Sequence, residues 1–206
     1  MTDTSSTSSA SAKLSEFDIV IAIDTSGSMG EPVKAGSSVT RWQAVQESAM
    51  AIIRDAQAID ADGMGLVLFG SSVRSFDGVT ADKAREVFAG NGPRGSTPLA
   101  EALTAALSLA GKSDKKDLVV VFTDGVPNDR AAAAEVIRKA SHAQETDDAL
   151  TILFIQVGDD AQATAYLKSL DDDIKGCKFD IVDVKTVEQA DAFASTSELL
   201  VAAISG

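Results

Sequence analysis

Asp24, Ser26 and Ser28 stand at alternate positions in Asp24-Thr25-Ser26-Gly27-Ser28, directly after the apolar run Phe17 to Ile23. In a nearly extended chain, residues two apart project to the same side. Gly27 lets the segment curl so that a carboxylate and two hydroxyls can converge. Oxygen donors with no His or Cys among them suit a hard cation, Mg²⁺, Mn²⁺ or Ca²⁺, rather than zinc. Two distant segments offer the same chemistry. Asp124 follows the run Val119 to Thr123 and precedes Gly125, and Thr97 precedes Pro98 between a glycine-rich loop and a helical run. Each has a plainer reading alone: Ser-Gly-Ser as a turn, Asp-Gly as a turn, Thr before Pro as a helix cap. Their coincidence at three element ends points to one metal site made of Asp24, Ser26, Ser28, Thr97 and Asp124.

The elements that must position these residues are written in the apolar pattern. Phe17 to Ile23 is apolar except for Asp18 and reads as a strand buried on both faces. Met64–Phe69, Asp117–Thr123 and Leu150–Val157 read the same way, and Phe179–Val184 alternates as an edge strand would. Val73 follows Phe69 after only three residues, so that strand is expected to pair antiparallel at an edge. Between the strands lie helical runs. Thr40 with Gln43 forms a capping-box pattern ahead of Trp42, Val45, Ala49, Ile52, Ala56 and Ile59 at three- and four-residue steps. Thr80–Ala89 is a short helix. Thr97 and Pro98 open a helix over Leu99–Ala110, Asp129 caps one over Arg130–Ala143, Asp159 or Asp160 caps one reaching Leu170, and Thr186 with Gln189 is a second capping box. Strands alternating with helices imply a doubly wound α/β fold: a mainly parallel sheet with one antiparallel edge strand and helices on both faces. Ligands bind such sheets at the carboxyl ends of the strands, where the three oxygen-bearing loops fall.

With these residues in order, the chain resembles the von Willebrand factor type A domain and its metal-ion-dependent adhesion site. The pattern is DxSxS, a distant Thr, and a later Asp before Gly, met by Asp24, Ser26, Ser28, Thr97 and Asp124 over roughly residues 16 to 204. The resemblance implies that Ser26, Ser28 and Thr97 bind the metal through hydroxyls while Asp24 and Asp124 act mostly through water. It also implies that an Asp or Glu of a protein partner completes the coordination. The stretch from Asp24 to Pro32, DTSGSMGEP, looks more like intracellular bacterial relatives that accompany AAA+ ATPases, chelatases and stress-resistance systems than like integrin domains. A cytoplasmic adaptor or assembly factor is the expectation, and an extracellular adhesion module cut from a longer chain is the alternative.

Composition bounds the rest. The chain has 206 residues and is 45% hydrophobic, enough for one domain with a sizeable core. Residues 1–15 read as a disordered Ser/Thr-rich tail without the features of a signal peptide, and 16–206 as the domain. Cys177 is the single cysteine, so no internal disulfide forms, which favours a reducing compartment. A net charge of −13, heavier in residues 101–206, argues against nucleic acid and anionic membranes as partners. An enzyme reading is weak. A haloacid dehalogenase-like phosphatase needs a second Asp two residues after the nucleophilic one, and that position is Ser26. The segment Met29 to Val39 beside the motif and Arg94 beside Thr97 are candidates for partner contact. His142 and Asp171-Asp172-Asp173 read as solvated surface.

Overall fold

The computed structural model describes residues 10–59, 63–172 and 174–205. Among these residues six strands form one sheet in the order β3-β2-β1-β4-β5-β6. They are β1 (Phe17–Asp24), β2 (Met64–Phe69), β3 (Val73–Val79), β4 (Lys116–Thr123), β5 (Leu150–Gln156) and β6 (Val182–Thr186). All neighbours pair parallel except β2 with β3, the antiparallel edge that the three-residue connection requires. The order reverses between β1 and β4, which places the topological switch point at the carboxyl ends of the strands leading to Asp24 and Asp124.

Side-chain alternation along each strand divides the core into two layers. Ile19, Ile21 and Ile23 of β1 pack with Leu118, Val120 and Phe122 of β4 under α1 (Arg41–Ile59), α2 (Ala81–Ala89) and α7 (Thr196–Ala203). Trp42 of α1 meets Phe88 of α2 edge to face, with ring centroids 5.8 Å apart. Val20, Ala22, Val119 and Val121 face the other way, under α3 (Leu99–Ala110), α4 (Arg130–Ala143) and α5 (Ala161–Asp172). A short α6 (Val187–Asp191) follows β6. Strands buried on both sides explain why their sequences run apolar without alternation.

The capping signals resolve individually. Thr40 and Gln43 exchange hydrogen bonds across the first turn of α1, Thr186 and Gln189 form the capping box of α6, and Asp129 accepts from the Ala132 N–H. Asp160, not Asp159, caps α5, accepting from the N–H groups of Gln162 and Ala163 at 2.8 Å each. Thr97 does not cap α3: the N-cap residue is Pro98, with no side-chain cap bond. The last strand begins at Val182 rather than Phe179. Both backbone groups of Phe179 are taken by the Ser141 hydroxyl of α4 at 2.8 Å, so ladder pairing starts only beyond it.

Residues 10–14 form a helical turn whose Ala10 and Leu14 are buried, Leu14 in the core layer beside Phe17. Ordered chain therefore reaches back into the stretch 1–15 read as a tail, because Leu14 has an apolar site to fill. Residues 1–9 of that expectation, and Asp173 of the triple-Asp turn, lie outside the described residues.

Candidate functional site

Three loops meet at the carboxyl edge of the sheet, locked by backbone hydrogen bonds. The Thr25 N–H donates to Phe69 O at 2.6 Å, the Arg94 N–H to Thr25 O at 2.6 Å, the Ser71 N–H to Arg94 O at 3.1 Å and the Gly27 N–H to Gly95 O at 3.1 Å. Gly95 has φ +88, and a Cβ there would lie 2.3 Å from the Ser71 nitrogen, so only glycine permits this approach. The loop carrying Thr97 is thereby clamped to the one carrying Ser26 and Ser28.

Within that frame the carboxylates are held at several points. Asp24 is fully buried; its Oδ1 accepts from the Ser26 N–H and its Oδ2 from the Thr123 hydroxyl, both at 2.7 Å. Burial pushes the Asp24 carboxyl up to about 6, opposed by the hydrogen bonds from Ser26 and Thr123 and assisted by the nearby charge of Asp124. The hydroxyls of Ser26 and Ser28 lie 3.1 Å apart, and Ser28 donates to Asp124 Oδ1 at 2.9 Å. The Asp124 Oδ2 accepts from Arg41 Nη1 at 2.7 Å. Thr97 is 7% exposed and approaches through Gly125, where a Cβ would lie 3.7 Å from its hydroxyl oxygen. Its backbone is tied to Asn128: the Asn128 N–H donates to Thr97 O at 3.1 Å, and the Thr97 N–H donates to the Asn128 side-chain oxygen at 3.3 Å. The Thr97 hydroxyl makes no hydrogen bond among the described residues.

The structure thus joins Asp24, Ser26, Ser28 and Asp124 into one hydrogen-bonded group and brings Thr97 to its edge. The donor set fits a hard divalent ion. It offers oxygen only, from two carboxylates and three hydroxyls, and the freest of the five is a Thr hydroxyl with no competing role in a helix cap. Among the described residues no group of three or more His, Cys, Asp or Glu is placed to hold a metal, so hydroxyls would have to supply much of any coordination here.

Two participants were missed in the sequence. Thr123 looks like an ordinary strand residue, yet its buried hydroxyl orients Asp24. Arg41 looks like the opening of an amphipathic helix, yet it is the charge partner of Asp124. A signal existed for Arg41: it is a cation in the first turn of a helix, where the macrodipole favours anions, so an unseen carboxylate was called for. Of the candidate contact residues, Arg94 is exposed, and Met29 to Val39 divides in two. Gly27–Gly30 is a 3₁₀ turn with Met29 fully buried, and residues 32–40 form a small hairpin closed by a Pro32–Thr40 bridge. Val39 on that hairpin is 43% exposed. His142 is exposed and bonds Gly176 O.

No match was found among curated proteins. Solved structures of similar fold include the PilB minor pilin from Streptococcus sanguinis, at 17% identity and TM-score 0.63 over 91% of this chain and 60% of that one. They also include the VWA domain of SpRpn10, at 14% and 0.62 over 88% and 92%, and the manganese-loaded TRAP protein of Plasmodium vivax, at 20% and 0.59 over 85% and 71%. These likenesses are of fold, and the chain spans less than two thirds of the pilin's length. The sequence profile of the von Willebrand factor type A domain matches residues 19–126. Those residues run from β1 to the loop after Asp124 and make up more than half of the chain, which therefore belongs to the von Willebrand factor type A domain family.

Proposed function

We propose that this domain is a divalent-metal-dependent protein-interaction module that captures an Asp or Glu carboxylate of a protein partner. The observation that carries the reading is the hydroxyl of Thr97, a residue only 7% exposed, which lies outside any cap bond and beside Gly125, next to the group formed by Asp24, Ser26, Ser28 and Asp124. Ser26, Ser28 and Thr97 would hold the ion directly, with Asp24 and Asp124 orienting hydroxyls and water around it. A bound Mg²⁺, Mn²⁺ or Ca²⁺ ion supplies a positive charge that neutral hydroxyls leave largely intact, and with it an attraction for an anionic oxygen from outside. The TRAP neighbour is manganese-loaded, which supports a divalent ion in this fold.

The site is read as a binding site and not a catalytic one. Asp24, the residue in the position of a nucleophile, has both oxygens engaged, by the Ser26 N–H and the Thr123 hydroxyl. Ser26 stands where a proton-donating carboxylate would be needed. The excess of acid over base disfavours nucleic acid and anionic membranes as partners. Cys177 as a free thiol and the DTSGSMGEP stretch favour an intracellular, cytoplasmic adaptor or assembly factor. A second reading, an adhesion module within a longer extracellular chain, draws on the pilin neighbour, where the similar fold is 60% of the chain. The test is a pull-down with Mg²⁺ and with EDTA, using wild type and Thr97→Ala. Partners recovered only with metal and lost in the variant support the reading, and EDTA-insensitive recovery contradicts it.

A further inference from the structure

Arg41 departs from the expectation for its position. It is the first residue of α1, at the positive end of the helix macrodipole, and its side chain is only 12% exposed. It is nonetheless anchored from several sides. Nη1 donates to Asp124 Oδ2 at 2.7 Å and lies 3.7 Å from the Glu31 carboxylate, and its backbone N–H donates to Glu31 O at 2.9 Å. Its guanidinium lies over Gly158, in the loop after β5: a Cβ at Gly158, whose φ is +80, would sit 2.7 Å from Arg41 Nε and 3.0 Å from Cζ. Among the described residues the buried Arg41 Nε has no hydrogen-bond partner, a cost that the bond from Nη1 to Asp124 offsets.

We infer that Arg41 is a positioning residue that acts as a built-in counter-charge, pairing with Asp124 so that the site holds its divalent ion more weakly and leaves it more electrophilic toward a partner's carboxylate. The inference rests on the metal reading given above. Its physical content is charge arithmetic. Asp24 and Asp124 together offer two negative charges beside the three hydroxyls, and the paired guanidinium cancels one of them. An ion in a site of lower net negative charge is held less tightly and keeps more of its own charge for an outside anion. Glu31, 65% exposed, is too solvated to cancel Arg41 in turn. Gly158 belongs to the device because a Cβ there would overlap the guanidinium and force it to shift.

The inference predicts a change of metal affinity opposite in sign to that of a lost structural contact. In calorimetric titration with Mn²⁺, Arg41→Gln should bind the ion about tenfold more tightly than wild type, the order of effect expected for one charge in a partly screened site. Arg41→Lys, which keeps the charge, should stay near wild type. Without metal, Arg41→Gln should melt lower than wild type, because Asp124 loses its partner, and saturating Mn²⁺ should raise its melting temperature by more than it raises that of wild type. Gly158→Ala, which displaces the guanidinium without altering any charge, should move Mn²⁺ affinity in the same direction and covers the case of Arg41→Gln failing to fold. Unchanged or weaker Mn²⁺ binding in Arg41→Gln, or in Gly158→Ala if that alone folds, would overturn the inference while leaving the metal reading standing. Absence of Mn²⁺ binding in wild type and variants alike would overturn both.

Discussion

Strands β1 and β4 lie side by side, and each carries an aspartate near both ends: Asp18 and Asp117 at the amino end, Asp24 and Asp124 at the carboxyl end. Residue type and neighbouring strands are shared; the surroundings are not. At the carboxyl end every carboxylate oxygen has a donor: the Ser26 N–H, the Thr123 and Ser28 hydroxyls, and the Arg41 guanidinium. At the amino end Asp18 and Asp117 are register partners across the ladder. Among the described residues the buried Asp117 Oδ1 has no hydrogen-bond partner, and Asp18 has Lys115 at 3.8 Å. Burial, and secondarily the charge of Asp18, pushes the Asp117 carboxyl up to about 6. A cleft of about 340 Å³ opens at this amino end, lined by Leu14, Phe17, Asp18, Asp77, Lys112 and Lys115 among others, where Lys112 pairs with Asp77 and Lys115 with Asp18. A site is thus marked by partners fixed around a charge rather than by the charge or by the size of a cavity.

The largest expected contrast between the ends is in metal binding. Asp24→Ala and Asp124→Ala should each abolish Mn²⁺ binding in calorimetry, while Asp117→Asn should leave it untouched; loss of binding in Asp117→Asn would dissolve the distinction. Next in size is a stability effect confined to the amino end. Leu14→Ala should cost about 2–4 kcal/mol in urea unfolding because it empties a filled core position, with Mn²⁺ affinity unchanged. A loss below about 1 kcal/mol would mean that the turn over residues 10–14 contributes little to the fold.

Asp117→Asn gives a smaller, pH-dependent effect. The folded carboxyl, at about 6, lies above its unfolded value. The folded chain therefore binds the proton more tightly, and stability falls as pH rises from about 4 through 6. Asparagine removes that penalty. The variant should gain about 1 kcal/mol at pH 7, because water still screens the half-buried pair, and nothing at pH 4. Equal gains at both pH values would assign the effect to packing. The smallest expected change is the stability of Thr97→Ala. With no cap bond to lose, it should stay within about 0.5 kcal/mol of wild type while partner binding falls more than metal binding. Equal losses in the two titrations would make Thr97 an ordinary ligand.

Much of this was legible in the chain. Strands buried on both faces leave long apolar runs, so β1, β2, β4 and β5 stand out. Asp129 and the two capping boxes fix helix starts because those signals are local. The five oxygen residues could be found because each sits at an element end with a distinctive neighbour, Gly27, Pro98 or Gly125. The remainder depended on contacts far apart in sequence. The Arg41–Asp124 pair and the Thr123–Asp24 bond join different elements; the helix start at Arg41 calls for a carboxylate without saying which one, and nothing adjacent to Thr123 announces Asp24. Thr97 resembled a helix cap because Thr before Pro is a common one, but its backbone is committed to Asn128 and Leu99, and the helix begins a residue later than a Thr cap requires. Phe179 joined the strand pattern by alternation, and the Ser141 hydroxyl took its backbone groups instead.

The central claim is that the Asp24–Asp124 end of the sheet holds a divalent ion through hydroxyls. Crystals soaked in Mn²⁺ and measured for anomalous scattering test it directly. The account predicts one strong peak within bonding distance of the Ser26 and Ser28 hydroxyl oxygens, absent in crystals of Asp24→Ala. No peak there, or a peak only among the surface carboxylates near Asp171 and Asp180, would contradict it.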